Sequence, residues 1–119
     1  MRTGTLIAND TDTALAAVKR CEGPLERMRG LLWRPALAPG QGLLIAPCNS
    51  VHTFGMRYAI DVVFLDREGR VLKVRAALKP FRMAMARGAR QVIELAAGEA
   101  ARLGLLPQRM VRWQEALTA

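Results

Sequence analysis

Residues 60–75 read IDVVFLDREGRVLKVR, two apolar segments joined by the polar turn Asp66-Arg67-Glu68-Gly69-Arg70. A three-residue loop, Arg67-Glu68-Gly69, pairs Asp66 with Arg70 and predicts a β-hairpin whose apolar side chains share one face. Gly69 then takes the left-handed position that a type I turn with a G1 bulge requires. A four-residue loop would pair Leu65 with Arg70 and mix apolar with charged side chains, so the pattern favours the shorter loop.

In this register the apolar face contains Ile60, Val62, Phe64, Leu72, Val74 and Ala76. Asp61 lies opposite Arg75 on the other face, where an exposed cross-strand pair contributes about 0.2–1 kcal/mol. The hairpin therefore predicts both a strand pairing and a partner for Asp61.

The rest of the chain carries further short strand signals and two helix signals. Predicted strands cover residues 3–8, 14–20, 43–46, 91–95 and 108–113. Predicted helices cover 24–34, between Gly23-Pro24 and Pro35, and 98–103, before Gly104. Residues 80–89 lack a clean period and are predicted as a long loop. Together these signals predict a mainly β single domain over residues 1–119, a β-sandwich or barrel with two short helices and a frayed tail at 114–119.

Composition limits the classes of function. The 119 residues are half hydrophobic, which is enough to bury a core, and the net charge of +8 comes from 15 Arg and 3 Lys against 10 acids. This charge favours anionic partners. No apolar run is long enough for a membrane span and no secretory signal is visible, so we expect a cytoplasmic protein without a membrane partner. Two cysteines are too few for a disulfide framework, and the sequence indicates no oligomeric state.

Residues 50–57, SVHTFGMR, and residues 60–66, IDVVFLD, together resemble the bacterial and archaeal family called domain of unknown function 192. Further matches in the same order are Arg29-Gly30-Leu31, Gly40-Gln41-Gly42-Leu43-Leu44, Gly69-Arg70-Val71 and Val92-Ile93-Glu94-Leu95. The resemblance implies a jelly-roll-like β-rich domain and implies no activity.

Cys48, His52, Asp61 and Glu94 are the candidate catalytic residues. A thiol beside a histidine can act as a thiolate nucleophile, and either acid could serve as a general base or orient His52. The alternative is structural: a strand histidine beside a buried thiol, Asp61 paired with Arg75, and Glu94 accepting bonds from Arg57 or from backbone. One histidine and two cysteines supply too few metal ligands, so we expect neither a metal nor a cofactor.

The candidate ligand-binding residues are Ser50, His52, Thr53, Met56, Arg57, Arg82 and Arg87. They form a predicted cleft between Ser50–Arg57 and the Pro80–Arg90 loop. From Arg70 to Gln91 there is no acid but there are seven cations. We therefore predict a binding domain for an anionic small molecule or an acidic polymer segment; the alternative is a small thiol-dependent or hydrolytic enzyme that uses Cys48 and His52.

Specific nucleic-acid binding is not expected. Phe81 is the single aromatic residue of the basic segment, which leaves no stacking platform, and no helix-turn-helix, RNP-like or zinc signature occurs. Four further large side chains are predicted to pack inside the protein rather than to bind a ligand: Met28, Trp33, Met83 and Met85.

Overall fold

A computed structural model describes residues 1–23, 27 and 36–117. These residues form nine strands and one short helix. The elements are β1 Arg2–Ala8, β2 Thr13–Cys21, β3 Gln41–Ile45, β4 Ser50–His52, β5 Ile60–Leu65, β6 Val71–Leu78, β7 Met83–Met85, β8 Gln91–Ala96, α1 Glu99–Arg102 and β9 Val111–Glu115. The mainly β prediction is confirmed. The predicted helix at 24–34 lies outside the described residues, apart from Arg27.

Seven strands form one mixed sheet in the order β6-β5-β8-β3-β2-β1-β9, in which β2 and β3 are parallel. The two edges of this sheet meet at one end. Backbone hydrogen bonds run from Val71 N to Arg109 O and from Val111 N to Gly69 O, at 2.9 Å each. The sheet is therefore curled so that the start of its first edge strand contacts the start of its last.

Two apolar clusters lie on opposite faces of the curled sheet. The first takes side chains from all seven strands, among them Leu6, Leu44, Ile93 and Val111, and fills the inside of the curl. The second lies on the other face and includes Leu43, Val62, Phe64 and Val92. Because β5 contributes to both clusters, all six of its residues are buried. Within the described residues, no helix is long and apolar enough to cross a membrane.

The hairpin turn forms as predicted, but its register changes beyond the turn. Asp66 N donates to Arg70 O at 2.9 Å, and Gly69 has a φ of 92°. Leu65 pairs with Val71, as the three-residue loop requires, but Phe64 then pairs with Lys73 across a bulge. This bulge shifts the pairs of Phe64, Val63 and Val62 by one residue, so Arg75 lies opposite Val62, and a second irregularity puts Ile60 opposite Leu78. The predicted Asp61–Arg75 pair is therefore wrong.

Other boundaries differ less. The strand predicted at 108–113 is observed at Val111–Glu115, where Gln114 and Glu115 pair with β1. It thus extends two residues into the stretch expected to fray. The predicted helix at 98–103 is observed as α1.

Residues 80–89 are not a featureless loop, because β7 lies within them. β7 pairs antiparallel with β4 in a small second sheet, with Ser50 opposite Met85, Val51 opposite Ala84 and His52 opposite Met83. Val51 and the buried Ala84 pack on the second apolar cluster, so this small sheet covers that face of the large one. The two segments of the predicted cleft are therefore joined by strand pairing.

Candidate functional site

The outward side of the small sheet carries two of the predicted binding residues, Ser50 and His52. Alternation along the strands puts Val51 and Ala84 inside and leaves Ser50, His52, Met83 and Met85 outside. Met83 is 65% exposed and Met85 is 62% exposed. The prediction that these two methionines pack inside the protein is wrong; Met28 and Trp33 lie outside the described residues.

Two phenylalanines extend this surface beyond the strands. The His52 and Phe54 rings lie 5.3 Å apart between centroids, and the Phe54 and Phe81 rings lie 6.4 Å apart. Phe81 is 66% exposed and Phe54 is 47% exposed. We call the surface formed by Ser50, His52, Phe54, Phe81, Met83 and Met85 the outer face.

Thr53 fixes the backbone beneath the outer face. Its side chain is fully buried, and its hydroxyl donates to Lys79 O at 2.6 Å and accepts from Arg82 N at 2.9 Å. Its carbonyl accepts from Phe81 N at 3.2 Å. These bonds hold Phe81 at a φ of 61°, a left-handed conformation that is uncommon for a bulky residue. Thr53 therefore positions the surface and does not line it.

The remaining predicted ligand-binding residues lie at different depths. Arg57, Arg82 and Arg87 are exposed, whereas Met56 is buried in the second apolar cluster. Lys73 comes from β6, and its Nζ donates to Met85 O at 2.8 Å, which ties the hairpin to β7. Both chain segments that form the outer face are therefore next to cations in the sequence. Met56, like Thr53, lies beneath this surface and supports it.

Cys48 and His52 are not arranged as a nucleophile and its base. The Cys48 thiol donates to Ser50 O at 3.0 Å, and in the described part of the chain no hydrogen bond joins it to His52. Burial raises the pKa of the Cys48 thiol, which lowers the thiolate fraction at neutral pH. His52 points outward on β4, where its contacts are with Phe54 and with its strand partner Met83. The thiol and the imidazole therefore have separate environments.

Asp61 has a structural role on the opposite face of the large sheet. Its carboxylate accepts from the backbone N–H groups of Ala77 at 2.8 Å, Gly98 at 3.0 Å and Ala100 at 2.9 Å. Its direct neighbour on β8 is Leu95, which belongs to the inner cluster. Asp61 thus joins the end of β6 to the start of α1 and cannot orient His52, because the large sheet lies between them.

Glu94 is the acid on the side of the small sheet. It lies opposite Leu43 and Val62, both members of the second cluster, and is 3% exposed. Among the described residues, Oε1 has no hydrogen-bond partner, and burial raises the pKa of the carboxyl to about 7. Its charge also contributes to the raised pKa of the Cys48 thiol. The predicted bond from Arg57 is not formed, and the Arg57 side chain is exposed.

The four catalytic candidates are therefore distributed over three environments: the outer face, the second cluster with its border, and the opposite face of the large sheet. Within residues 1–23, 27 and 36–117, no three His, Cys, Asp or Glu side chains come together as a group that could hold a metal ion. Both Cys21 and Cys48 are thiols.

Sequence reasoning missed the apolar part of the outer face. Phe54, Phe81, Met83 and Met85 were not among the candidates, because large apolar residues are expected inside a fold. The available signal was local. Phe54 precedes Gly55, and Met83 and Met85 flank the small Ala84, which can face the core only if both methionines face outward.

Comparison with known proteins gives fold and family but no activity. A protein of unknown function from Novosphingobium aromaticivorans shares 23% identity with a TM-score of 0.79, over 93% of this chain and 84% of that one. A putative transcription regulator from Sinorhizobium meliloti shares 22% identity with a TM-score of 0.79, over 94% and 92% of the two chains. A putative exported protein from Burkholderia pseudomallei shares 15% identity with a TM-score of 0.52, and the match covers 95% of this chain but 25% of that one.

At these identities the solved structures show that the fold is shared. No curated protein matches the chain significantly. The model of one protein family, DUF192, described as an uncharacterized ACR family, matches residues 6–113. The match spans most of the chain and includes both segments of the outer face. The chain therefore belongs to the DUF192 family.

Proposed function

We propose that this protein is a binding domain for an anionic ligand, either a small molecule or an acidic polymer segment, and that the outer face is its binding site. The observation that carries the proposal is the pairing of β4 with β7. This pairing brings the exposed side chains of residues 50–54 next to those of residues 81–85, at the centre of the basic part of the chain.

Charge supports an anionic ligand. Residues 47–60 and 70–91 contain eight cations and no acid, and all ten acidic residues of the chain lie in other segments. Cations concentrated in this way attract anions and speed their association. The exposed Arg82 and Arg87, at the two ends of β7, are best placed to contact such a ligand, together with Arg57.

The enzyme alternative has weaker support. A thiol-dependent mechanism requires Cys48 to donate to a base, yet its thiol donates to a backbone carbonyl and its pKa is raised. Asp61 has three backbone donors and is separated from His52 by the large sheet.

We also propose a cytoplasmic location. Its support is that Cys21 and Cys48 are both free thiols.

The test is binding to immobilised heparin, a polyanion, over a series of salt concentrations. We expect Arg82→Ala/Arg87→Ala to elute at clearly lower salt than the wild type, with stability within about 0.5 kcal/mol because both side chains are exposed. The matched control is Lys19→Ala/Arg67→Ala, which removes the same charge from exposed positions on β2 and the hairpin turn. If both double variants elute together, net charge alone explains the binding and the outer face is not the site.

A further inference from the structure

We propose that the outer face docks onto the surface of an anionic lipid bilayer, with its apolar side chains in the interfacial region and its flanking cations on the headgroups. The inference rests on the proposed function and names the partner of the same face. It departs from our expectation of no membrane partner, which considered only spanning segments. Docking of this kind needs no span, only exposed apolar side chains and a basic border.

The first argument is where the exposed apolar side chains lie. Seven large hydrophobic side chains are exposed among the described residues, and four of them, Phe54, Phe81, Met83 and Met85, belong to the outer face. The other three are distributed between the two ends of the chain and the turn after α1: Met1, Leu106 and Leu117. Contiguous exposed apolar patches mark interaction sites, whereas single exposed residues need no explanation.

The second argument is that hydrogen bonds fix the backbone beneath the exposed side chains of the outer face. The buried Thr53 hydroxyl bonds to the backbone on both sides of Phe81, and the bond from Phe81 N to Thr53 O holds the ring-bearing residue at a positive φ. Lys73 ties Met85 from a third segment. A backbone held in an uncommon conformation beneath an exposed aromatic side chain is typical of functional surfaces.

The third argument is charge complementarity, and it selects the occupant. The stretches that carry the four apolar side chains, residues 50–57 and 79–87, contain four exposed cations, Arg57, Lys79, Arg82 and Arg87, and no acid. A small anion would neutralise cations but leave four large apolar side chains in water. An anionic bilayer covers the apolar side chains and supplies a layer of negative headgroups to the long Arg and Lys side chains around them.

The experiment is cosedimentation of the full chain with phosphatidylcholine vesicles and with mixed phosphatidylcholine–phosphatidylglycerol vesicles. We expect binding to the mixed vesicles that weakens as salt rises, and little binding to the neutral ones. Arg82→Ala/Arg87→Ala should lower the affinity roughly fivefold per cation removed. Phe81→Ala/Met83→Ala, which leaves the charge unchanged, should lower it by at least about tenfold. Leu106→Ala, an equally exposed apolar residue outside the face, should bind like the wild type.

A second readout separates insertion from simple electrostatic adsorption. In Phe81→Trp, fluorescence should be quenched by brominated lipid more strongly than in the wild type. Equal quenching, or mixed-vesicle binding by Phe81→Ala/Met83→Ala that equals the wild type, would overturn the inference. Binding to heparin or polyglutamate without binding to the mixed vesicles would also overturn it, while leaving the proposed anionic-ligand function intact. If the wild-type protein binds neither heparin, nor polyglutamate, nor the mixed vesicles, both proposals are overturned.

Discussion

Glu94 is a carboxylic acid surrounded by apolar side chains, and this environment determines how it affects stability. Burial raises its pKa in the folded protein to about 7, from an ordinary value of 4.5. Because the folded state favours the protonated form, this group's contribution to the free energy of unfolding is complete below pH 4.5. The contribution is then lost as the pH rises through the folded-state pKa.

We therefore expect Glu94→Gln, which cannot ionise, to remove this dependence on pH. Relative to the wild type, the free energy of unfolding of the variant should rise between about pH 4.5 and pH 7, by on the order of 3 kcal/mol in total. Denaturant titrations across this range measure the difference. Glu68→Gln, at an exposed position of the hairpin turn, is the control and should follow the wild type. A constant difference between Glu94→Gln and the wild type at all pH values would contradict the assignment.

Substitutions of Thr53 test whether the conformation of the outer face depends on a single buried hydroxyl. Thr53→Val keeps the volume of the side chain but leaves Lys79 O without its donor and Arg82 N without its acceptor. Unpaired buried groups of this kind cost about 1–3 kcal/mol each. For the two groups together we expect a loss of stability of about 2–6 kcal/mol by chemical denaturation, with weaker heparin binding.

Thr53→Ser is the matched control, because it retains the hydroxyl and loses one buried methyl group, at a cost of about 1 kcal/mol. It should keep heparin affinity near that of the wild type. If serine weakens binding as much as valine does, the hydroxyl is not what positions the Phe81 turn.

At the scale of elements, the hairpin shows how far local pattern determines structure. The turn was predictable because Gly69 supplies the positive φ that a three-residue loop needs. The bulge between Phe64 and Leu65 was not, because side-chain alternation within the hairpin carries no information on β8, which pairs along the whole of β5. The two apolar clusters, one on each face of the large sheet, bury both faces of β5 and remove the constraint that one face stay polar.

β7 was missed for a related reason. Its sequence, Met83-Ala84-Met85, turns large apolar side chains outward and a small one inward, the reverse of the usual alternation. Its partner β4 lies about thirty residues earlier in the chain, so no local turn signal connects the two strands. The two cleft segments were nevertheless predicted from charge and from the position of His52.

The hairpin also closes the large sheet, and Gly69 makes that closure possible. A Cβ atom at Gly69 would lie 2.1 Å from Val111 O, in addition to the strain at a φ of 92°. We expect Gly69→Ala to lower the free energy of unfolding by more than about 2 kcal/mol, measured by denaturant titration.

Gly88→Ala is the matched control for Gly69→Ala. Gly88 also has a positive φ, of 83°, but a Cβ there would meet only Leu72 Cδ1 at 3.8 Å. Its loss of stability should therefore reflect backbone strain alone, at about 1 kcal/mol. Equal losses at the two positions would show that the contact with Val111 does not matter for stability.

At the scale of the whole molecule, the fold separates a structural side from the side on which we propose that a ligand binds. The curled sheet encloses the inner cluster and holds Asp61 in a set of backbone bonds, while the small sheet covers the second cluster and turns the outer face to solvent. The mainly β class was predictable from the sequence, and so was the proximity of the two segments that we propose as the binding surface. The inert environments of Cys48 and Asp61 were not, because they depend on which face of the large sheet each side chain occupies.

The central claim is that the outer face is where an anionic ligand binds, and mapping of backbone amide NMR shifts tests it most directly. During titration with a short heparin fragment at low salt, we expect the largest shift changes at residues 50–57 and 79–87, and small changes along β1, β2 and β9. Arg82→Ala/Arg87→Ala should show much weaker changes at the same residues. The guanidinium groups of Arg2 and Arg20 lie 5.3 and 5.5 Å from the centroid of the Trp113 ring, away from the outer face. Changes that are centred on these two arginines, or spread evenly over all cations, would contradict the account.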